Sequence, residues 1–327
     1  MNLVSSALRH LLLATALVVP PAAMAQTSEF PTAPVRVVVP YPPGGSLDAV
    51  IRPMDDKFQQ LTGQALIIEN VGGAGGLIAG AKVVNAKPDG YTLFLASNGQ
   101  VSLAPLLYPK MSYDPQNDLV PIIHLVDQVA VLYASAKSPY KTVAEVVAAG
   151  KAAPGTVAFA STGTGSISHL AIELLAHYSG ARFNHVPYKG AAPALQDVAS
   201  GQVPLIFTFI GSAKGLTASG LVRPIAVASD KRLPSLPDVP TFAEAGLPNI
   251  QASVWIGLMG PRGMPAAAVQ RIADVADAIM KQPDFEQRMV ANSMEIRGRT
   301  PAAFRSAIQA DSARWTELAK TVNLTVQ

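Results

Sequence analysis

The stretch VRVVVPYPPGGSLDAVIRPM, residues 35–54, decides the fold class of this 327-residue chain. It begins with a β-branched run that predicts a buried strand, passes through a turn of prolines and glycines, and ends in a segment that predicts a helix. A second stretch, TVAFASTGTGSISHLAIELL at residues 156–175, repeats the order of strand, small polar loop and apolar helix. The two stretches lie in opposite halves of the chain, which favours two similar lobes.

Short apolar runs alternate with longer helical segments along the rest of the chain. Such runs are typical of parallel strands that helices cover on both faces, so the pattern predicts an α/β fold. Helices are predicted at 47–61 and 76–86. Predicted strands begin at Val35, Ala65, Tyr91, Val129, Thr156, Phe183, Val203, Arg223 and Ser253.

Two further helices have recognisable ends. Thr142 with Glu145 three residues later forms a capping-box pattern, and Gly150 is placed to end that helix. Thr300 and Pro301 are typical of the N-cap and first residue of a long final helix.

No low-complexity linker divides the chain, so two lobes would have to be joined by ordinary strands. We place these crossover strands near 125–130 and 250–255. The predicted lobes are then 26–126 plus 253–327 for the first and 127–252 for the second.

Composition restricts the classes of function. Apolar residues make up 49% of the chain and charged residues 14%, which favours a folded protein over a disordered one. The formal charge of +3 is small and the basic residues are scattered, so we expect no nucleic-acid groove, although a mildly positive protein favours small anions. Cysteine is absent, which excludes disulfides, thiolate metal sites and a cysteine nucleophile.

The N-terminus has the pattern of a secretory signal peptide. Arg9 and His10 precede the apolar run LLLATALVVP, and the small residues AMA end at Ala25. The run is about half of the ~20 residues that span a bilayer. We therefore predict a signal peptide over 1–25, cleaved near Ala25, and export to the periplasm.

Polar and glycine-rich loops follow several of the predicted strands. In an α/β sheet, ligands bind beyond the carboxyl ends of the strands, where these loops lie. Backbone N–H groups at a glycine-rich turn and helix start can bind an anion without a cationic side chain. The candidate residues are Gly44, Gly45, Ser46 and Asp48 in the first loop, Ser161, Thr162, Gly163 and Ser166 in the second, and Ser97, Asn98, Gly99 and Tyr188 in two further turns.

The sequence does not indicate catalysis. Ser166, His169 and Asp48 could supply a Ser/His/Asp hydrolase, but the G-x-S-x-G elbow is absent and His169 falls inside a predicted helix. There is no H-E-x-x-H, no G-x-G-x-x-G and no P-loop, so no metal and no cofactor are predicted. His169 is more typical of a residue that contacts backbone or ligand.

Five motifs in order resemble the Bug-type extracytoplasmic solute receptors of tripartite tricarboxylate transporters. They are PVRVVVPYPPGGSLDAVIRPM, NVGGAGGLIAGAKVVNAKPDGYTLFLAS, YDPQNDLVPI, HVPYKGAAPALQDVASGQV and LPSLPDVPTFAEAGLP. The resemblance implies a type II periplasmic-binding-protein fold, with two α/β lobes joined by two crossing strands and a carboxylate ligand between them.

The same resemblance implies roles for the candidate residues. Tyr41 and the rest of the loop 41–46, with Asp48, would form one side of the cleft, and the loop 161–166 would form the other. The turns at Asn98 and Tyr188 would complete it. In the family, carboxylates are recognised by backbone donors, hydroxyls and ordered waters.

One segment departs from the family pattern. The chain reads GQVPLIFTF at 201–209, where family members commonly read GQVDLMFDN, so Pro204 and Thr208 replace acidic residues. Thr208 is expected near the cleft, where the change removes a partner for a ligand amine. We therefore expect a carboxylate without an ammonium group, such as a dicarboxylate or an aromatic acid, although Asp48 could still accept from an amine.

The resemblance also implies a partner, the membrane permease of such a transporter, and we expect a monomeric receptor. Two alternatives are open at this point. A periplasmic sensing subunit would bind the same ligand but act on a two-component system, and a secreted Ser/His hydrolase is the less favoured choice.

Overall fold

The computed structural model describes residues 30–108 and 110–321, so the predicted signal peptide and its cleavage site lie outside the described residues. Its strands are β1 (Val35–Val39), β2 (Leu66–Asn70), β3 (Thr92–Ser97), β4 (Leu119–Val129), β5 (Val131–Ser135), β6 (Ala158–Ser161), β7 (Asn184–Pro187), β8 (Leu205–Thr208), β9 (Val222–Val227), β10 (Ser253–Pro261) and β11 (Met294–Arg299). Its helices are α1 (Ser46–Ile51), α2 (Asp55–Thr62), α3 (Leu77–Val84), α4 (Ala104–Leu107), α5 (Val143–Ala152), α6 (Ile167–Ser179), α7 (Ala191–Ser200), α8 (Ile210–Ala218), α9 (Ala266–Met280), α10 (Pro283–Ala291) and α11 (Pro301–Thr321).

The strands form two mixed sheets, which confirms the α/β class. The first sheet has the order β11-β4-β10-β3-β1-β2 and the second has the order β7-β6-β8-β5-β9. The prediction that the strands are parallel holds for β1 with β2 and β3, and for β6 with β7 and β8. It is wrong for β10 and β5, which run antiparallel to their neighbours. Both strands are as buried as parallel ones, so their apolar runs could not show direction.

Two crossover segments connect the first sheet to the second, and these segments lie side by side. The chain leaves β4 and enters β5 at Ala130, and it returns through Ala252 into β10. The N–H of Ala130 donates to the carbonyl of Ala252 (2.9 Å), that of Ala252 donates to Ala228 (3.0 Å), and that of Ala228 donates to Ala130 (2.9 Å). These buried alanines form a narrow connection, at the positions where the sequence predicts crossover strands.

The last helix packs against both halves of the molecule. Phe304 and Ile308 lie in a core cluster with residues of β1, β3 and β10. Trp315 is fully buried and lies in the core around β5, β6 and β8. In residues 30–108 and 110–321, neither this 21-residue helix nor any other has the length and apolar character needed to cross a bilayer.

Two helix predictions need correction. The helix predicted at 47–61 is broken because Pro53 lies in a 3₁₀ turn, Arg52–Met54, between α1 and α2, where its ring removes a backbone donor. Gly150 does not end α5, which continues to Ala152, whereas the capping box of Thr142 is confirmed. A Cβ on Gly150 would lie 2.5 Å from the ring of Phe183, so the glycine permits close packing.

We expect Gly257→Ala to destabilise the protein by about 1–3 kcal/mol, since overpacking a well-packed core typically costs this much. A Cβ at this position of β10 would lie 2.4 Å from the Phe304 ring and 2.7 Å from the Ile123 carbonyl oxygen. Urea unfolding would measure the loss.

Gly215→Ala is the matched control, because Gly215 lies in the exposed part of α8 with open space around it. There alanine should be neutral or should stabilise by about 0.5–1 kcal/mol, since glycine disfavours a helix interior. Equal effects of the two substitutions would contradict the packing of α11 on the sheet.

Candidate ligand-binding site

A cleft of about 710 Å³, partly open to solvent, lies where loops of the two sheets meet. The first half of the chain lines it with Val39, Tyr41, Pro42, Pro43, Gly45, Ser46, Leu47, Asp48, Ser97, Asn98 and Gly99. The remaining lining residues are Thr162, Ser166, Ile167, Lys189, Gly190, Ala191, Ala192, Pro193, Phe209, Ser212 and Val254.

The cleft brings together most of the candidate residues. Those on its wall are Tyr41, Gly45, Ser46, Asp48, Ser97, Asn98, Gly99, Thr162 and Ser166. Six candidates are not among the lining residues, namely Gly44, Ser161, Gly163, His169, Tyr188 and Thr208. Contact of any of them with a ligand stays a prediction. Their hydrogen bonds within the protein show which of them have a donor group without a partner.

Asp48 holds the first loop in place. Its Oδ2 accepts from the backbone N–H of Gly44 (2.5 Å) and its Oδ1 accepts from Asn70 Nδ2 (3.1 Å). Arg52 Nη2 lies 3.4 Å from Oδ1, and Asp48 itself is buried. Both carboxylate oxygens therefore have partners within the protein, and Arg52 offsets part of the charge of Asp48.

Tyr41 keeps a proton to donate. Its hydroxyl oxygen accepts from Gln100 Nε2 (2.9 Å), and no acceptor for its own proton is present among the described residues. Burial raises the pKa of Tyr41 to about 12, so the hydroxyl is protonated at neutral pH. Gln100 also donates to the Gly75 carbonyl (2.8 Å) and accepts from the Ser97 hydroxyl (2.8 Å), so one buried amide, missed by sequence reasoning, ties three loops together.

Three helices start at the cleft without side-chain caps. The N-cap residues are Gly45 for α1, Gly190 for α7 and Phe209 for α8, and none of them makes a side-chain capping hydrogen bond. Helix starts leave backbone N–H groups without intrahelical partners and carry partial positive charge. The arrangement therefore favours an anion, approached from both sides of the cleft.

The second loop uses two of its hydroxyls to hold its own shape. Ser166 Oγ donates to the Gly163 carbonyl (2.7 Å) and accepts from the backbone N–H of His169 (3.3 Å), which caps α6. Ser161 Oγ lies 2.6 Å from His185 Nε2 and is fully buried. The hydroxyls of Thr162 and Thr164 have no partner in the described part of the chain, and of these two residues Thr162 lines the cleft.

A stacked pair of histidines contacts the backbone of this loop. The rings of His169 and His185 lie 4.0 Å apart between centroids and are tilted by 14°. Burial lowers the pKa of His169 to about 4 and lowers the pKa of His185 as well, so both rings are neutral at pH 7. A neutral His169 can accept at Nδ1 from the N–H of Gly165 (3.3 Å). The pair therefore fixes the loop backbone.

The residues of the hydrolase alternative do not form a triad. Ser166 contacts His169 through the backbone N–H and not through the ring, and the carboxylate of Asp48 is bonded to Gly44 and Asn70. A triad needs hydroxyl, imidazole and carboxylate in sequence. Within residues 30–108 and 110–321, no three histidine, aspartate or glutamate residues are grouped so as to hold a metal ion.

For two of the candidates, the next residue in the chain lines the cleft instead. Tyr188 turns away and donates to Asp197 Oδ2 (2.6 Å), whereas the next residue, Lys189, lines the cleft. Thr208 is buried, whereas Phe209 lines the cleft. Successive side chains of a strand point to opposite faces, so the parity at the strand end decides which residue reaches the cleft. Lys189 and Phe209 could be found only with that parity known, whereas Ser212 lies in the first turn of α8.

Contacts between the two halves flank the cleft. Ser46 Oγ lies 3.5 Å from Ser212 Oγ, and the hydroxyl of Tyr108 donates to the Thr164 carbonyl (3.2 Å). On another side, Lys214 Nζ donates to the Ala291 carbonyl (3.3 Å). Direct contacts between the two halves therefore accompany a cleft that is partly open to solvent.

Known proteins share this architecture. The 34% identity to BugT of Bordetella pertussis extends over 300 residues, which is 90% of each chain. MatC from Rhodopseudomonas palustris, solved with bound malate, superposes with a TM-score of 0.84 at 33% identity, covering 88% of this chain and 99% of MatC. A second R. palustris protein, solved with adipate, gives a TM-score of 0.86 at 32% identity and covers 89% of this chain and 98% of its own.

A family model described as the tripartite tricarboxylate transporter family receptor, TctC, matches residues 50–324. These residues include both sheets apart from β1, and the cleft except the loop that precedes α1 and the start of α1. The match covers far more than half of the chain, and the resemblance to Bug-type receptors is confirmed by BugT and by the solved structure of BugD. The protein therefore belongs to the receptor family of the tripartite tricarboxylate transporters.

Proposed function

We propose that the protein captures a small organic carboxylate in the periplasm and delivers it to the membrane permease of a tripartite tricarboxylate transporter. The main support for this proposal is the lining of the cleft. Helices from both halves begin there without side-chain caps, and hydroxyl groups that have no acceptor among the described residues lie beside them. Donors of this kind bind a carboxylate without a metal or a cationic cage. The malate and adipate in the two R. palustris proteins are both carboxylates, which supports the same ligand class here.

The finer preference is for a carboxylate without an ammonium group, such as a dicarboxylate or an aromatic acid. An ammonium would need a carboxylate partner, and the carboxylate on the wall, Asp48, is already bonded to Gly44 and Asn70. The rest of the wall includes apolar side chains such as Leu47, Phe209 and Val254. Phe209 and not Thr208 lines that part of the wall, so contact of Thr208 with a ligand stays a prediction.

Capture would work by closure of two lobes, 26–126 plus 253–327 and 127–252. Ligand contacts made by both lobes exist only in the closed form, so binding shifts the population toward it. The hydrogen-bonded alanines at 130 and 252 are the natural hinge. Nothing is turned over in this cycle, and we propose that the receptor acts as a monomer whose closed form docks on the permease.

Titration calorimetry with succinate, terephthalate and aspartate tests the ligand class. We expect at least one of the two diacids to bind at least about tenfold more tightly than aspartate, since burying an unpartnered ammonium costs more than this difference of 1.4 kcal/mol. Tight binding of aspartate alone would contradict the preference. Absence of binding by every carboxylate in a wider panel would contradict the proposed function.

Tyr108→Phe tests closure without touching the cleft wall. Losing the hydrogen bond to Thr164 removes about 0.5–1.5 kcal/mol from the closed form, so we expect affinity for the bound diacid to fall about two- to tenfold.

The control for this variant is Tyr178→Phe, which removes a hydroxyl far from the cleft and should leave the affinity unchanged. X-ray scattering should show the radius of gyration of the wild type decreasing on saturation. A Tyr108→Phe variant with wild-type affinity would show that the contact does not favour the closed form.

A further inference from the structure

The charges on the cleft wall do not cancel. Among the described lining residues, Asp48 and Lys189 are the two that carry charge at neutral pH. The charge of Asp48 is offset by Arg52 at 3.4 Å and by its hydrogen bonds. Lys189 has no carboxylate within 4.0 Å and no hydrogen-bond partner in the described part of the chain. One positive charge is therefore left without a counter-charge at the wall.

The residues that line the cleft differ in burial and polarity between its floor and its rim. Ser97 and Asn98 form a buried polar floor, whereas Pro43 and Lys189 are exposed at the rim. Apolar side chains lie on the wall as well: Val39, Leu47, Ile167, Ala191, Ala192, Phe209 and Val254. A ligand that fits this lining has an acidic group among neutral donors, an apolar body, and a second negative charge near the rim.

From this we infer that Lys189 is a specificity-determining residue that selects a dicarboxylate over a monocarboxylate with the same carbon skeleton. The inference rests on the proposed function, since it concerns the same cleft. It favours a dicarboxylate over an aromatic acid that has a single carboxylate, because the latter would leave the lysine without a partner.

The size of the effect follows from the exposure of the lysine. Exposed ion pairs are worth about 0.2–1 kcal/mol in water, and closure over a ligand removes part of that water. We expect the second carboxylate to gain about three- to tenfold in affinity from Lys189. Because the group is at the rim, added salt should screen part of this gain.

Two matched pairs of ligands test the inference: adipate with hexanoate, and terephthalate with benzoate. In each pair the carbon skeleton is the same and one carboxylate is removed. For at least one pair, we expect Lys189→Gln to lower the affinity for the diacid about three- to tenfold at low salt and to change that for the monoacid less than twofold. The loss should shrink in 0.5 M salt.

Two control variants separate charge from structure. Lys189→Arg keeps the charge and should retain most of the preference for the diacid. Lys151→Gln removes an exposed charge from α5, on the same half of the molecule but away from the cleft, and should change neither affinity. Unchanged thermal unfolding of Lys189→Gln would show that the variant is folded.

The outcomes distinguish the inference from the proposed function. Wild-type binding of the monoacids as tightly as the diacids, or an equal loss for both ligands of each pair in Lys189→Gln, would overturn the inference and leave a carboxylate receptor. Failure of the wild type to bind any of the four acids, succinate or the wider panel would overturn both.

Discussion

Three backbone hydrogen bonds between Ala130, Ala228 and Ala252 determine how the two halves of the molecule are joined. Because the chain crosses there twice, the two strands that follow the crossings, β5 and β10, run against their neighbours in the sheets they enter. The crossing also places the carboxyl ends of the remaining strands opposite each other. The cleft is therefore a consequence of the crossing, and its two walls belong to different sheets. Small side chains are required at this point, since larger ones would separate the two segments.

The polar side chains around the cleft are divided into two groups by their hydrogen bonds. Asp48, Ser161, Ser166 and Gln100 have partners within the protein and hold the loops in one shape. The free donors are few, and backbone N–H groups at helix starts supplement them. A site whose donors are held in position before binding loses less entropy when the ligand arrives. Apart from Asp48, whose charge is offset by Arg52 at 3.4 Å, these loop-fixing groups are neutral and place no further charge beside an anion in the cleft.

The architecture could be read from the sequence because strand, glycine-rich loop and helix recur in the same order in both halves. The sequence predicts only the end of β4, as a crossover strand near 125–130, and it does not predict β11, which is a polar segment. Arg297 of β11 bonds to Asp127 of β4 (2.6 Å), a pairing 170 residues apart. At the site, the strand ends predict which loops form the cleft, but they do not predict the role of each side chain. Asp48 could have faced a ligand or the protein, and only the approach of Asn70 from β2 decides this. Such partners are brought in by the fold and leave no local signal.

Under the proposed closure of two lobes, the division of the donors between the two sides of the cleft matters for release as much as for capture. Tyr41 and Ser46 lie on one side of the cleft, and Thr162 and Ser212 lie on the other. When the lobes separate, the ligand keeps the contacts of one side only, and each 1.4 kcal/mol lost weakens binding tenfold. A permease that favours the open form would thus lower affinity without breaking any bond within a lobe. Neutral donors suit this cycle, because a carboxylate held by a fully buried ion pair would leave an unpaired buried charge each time the cleft opened.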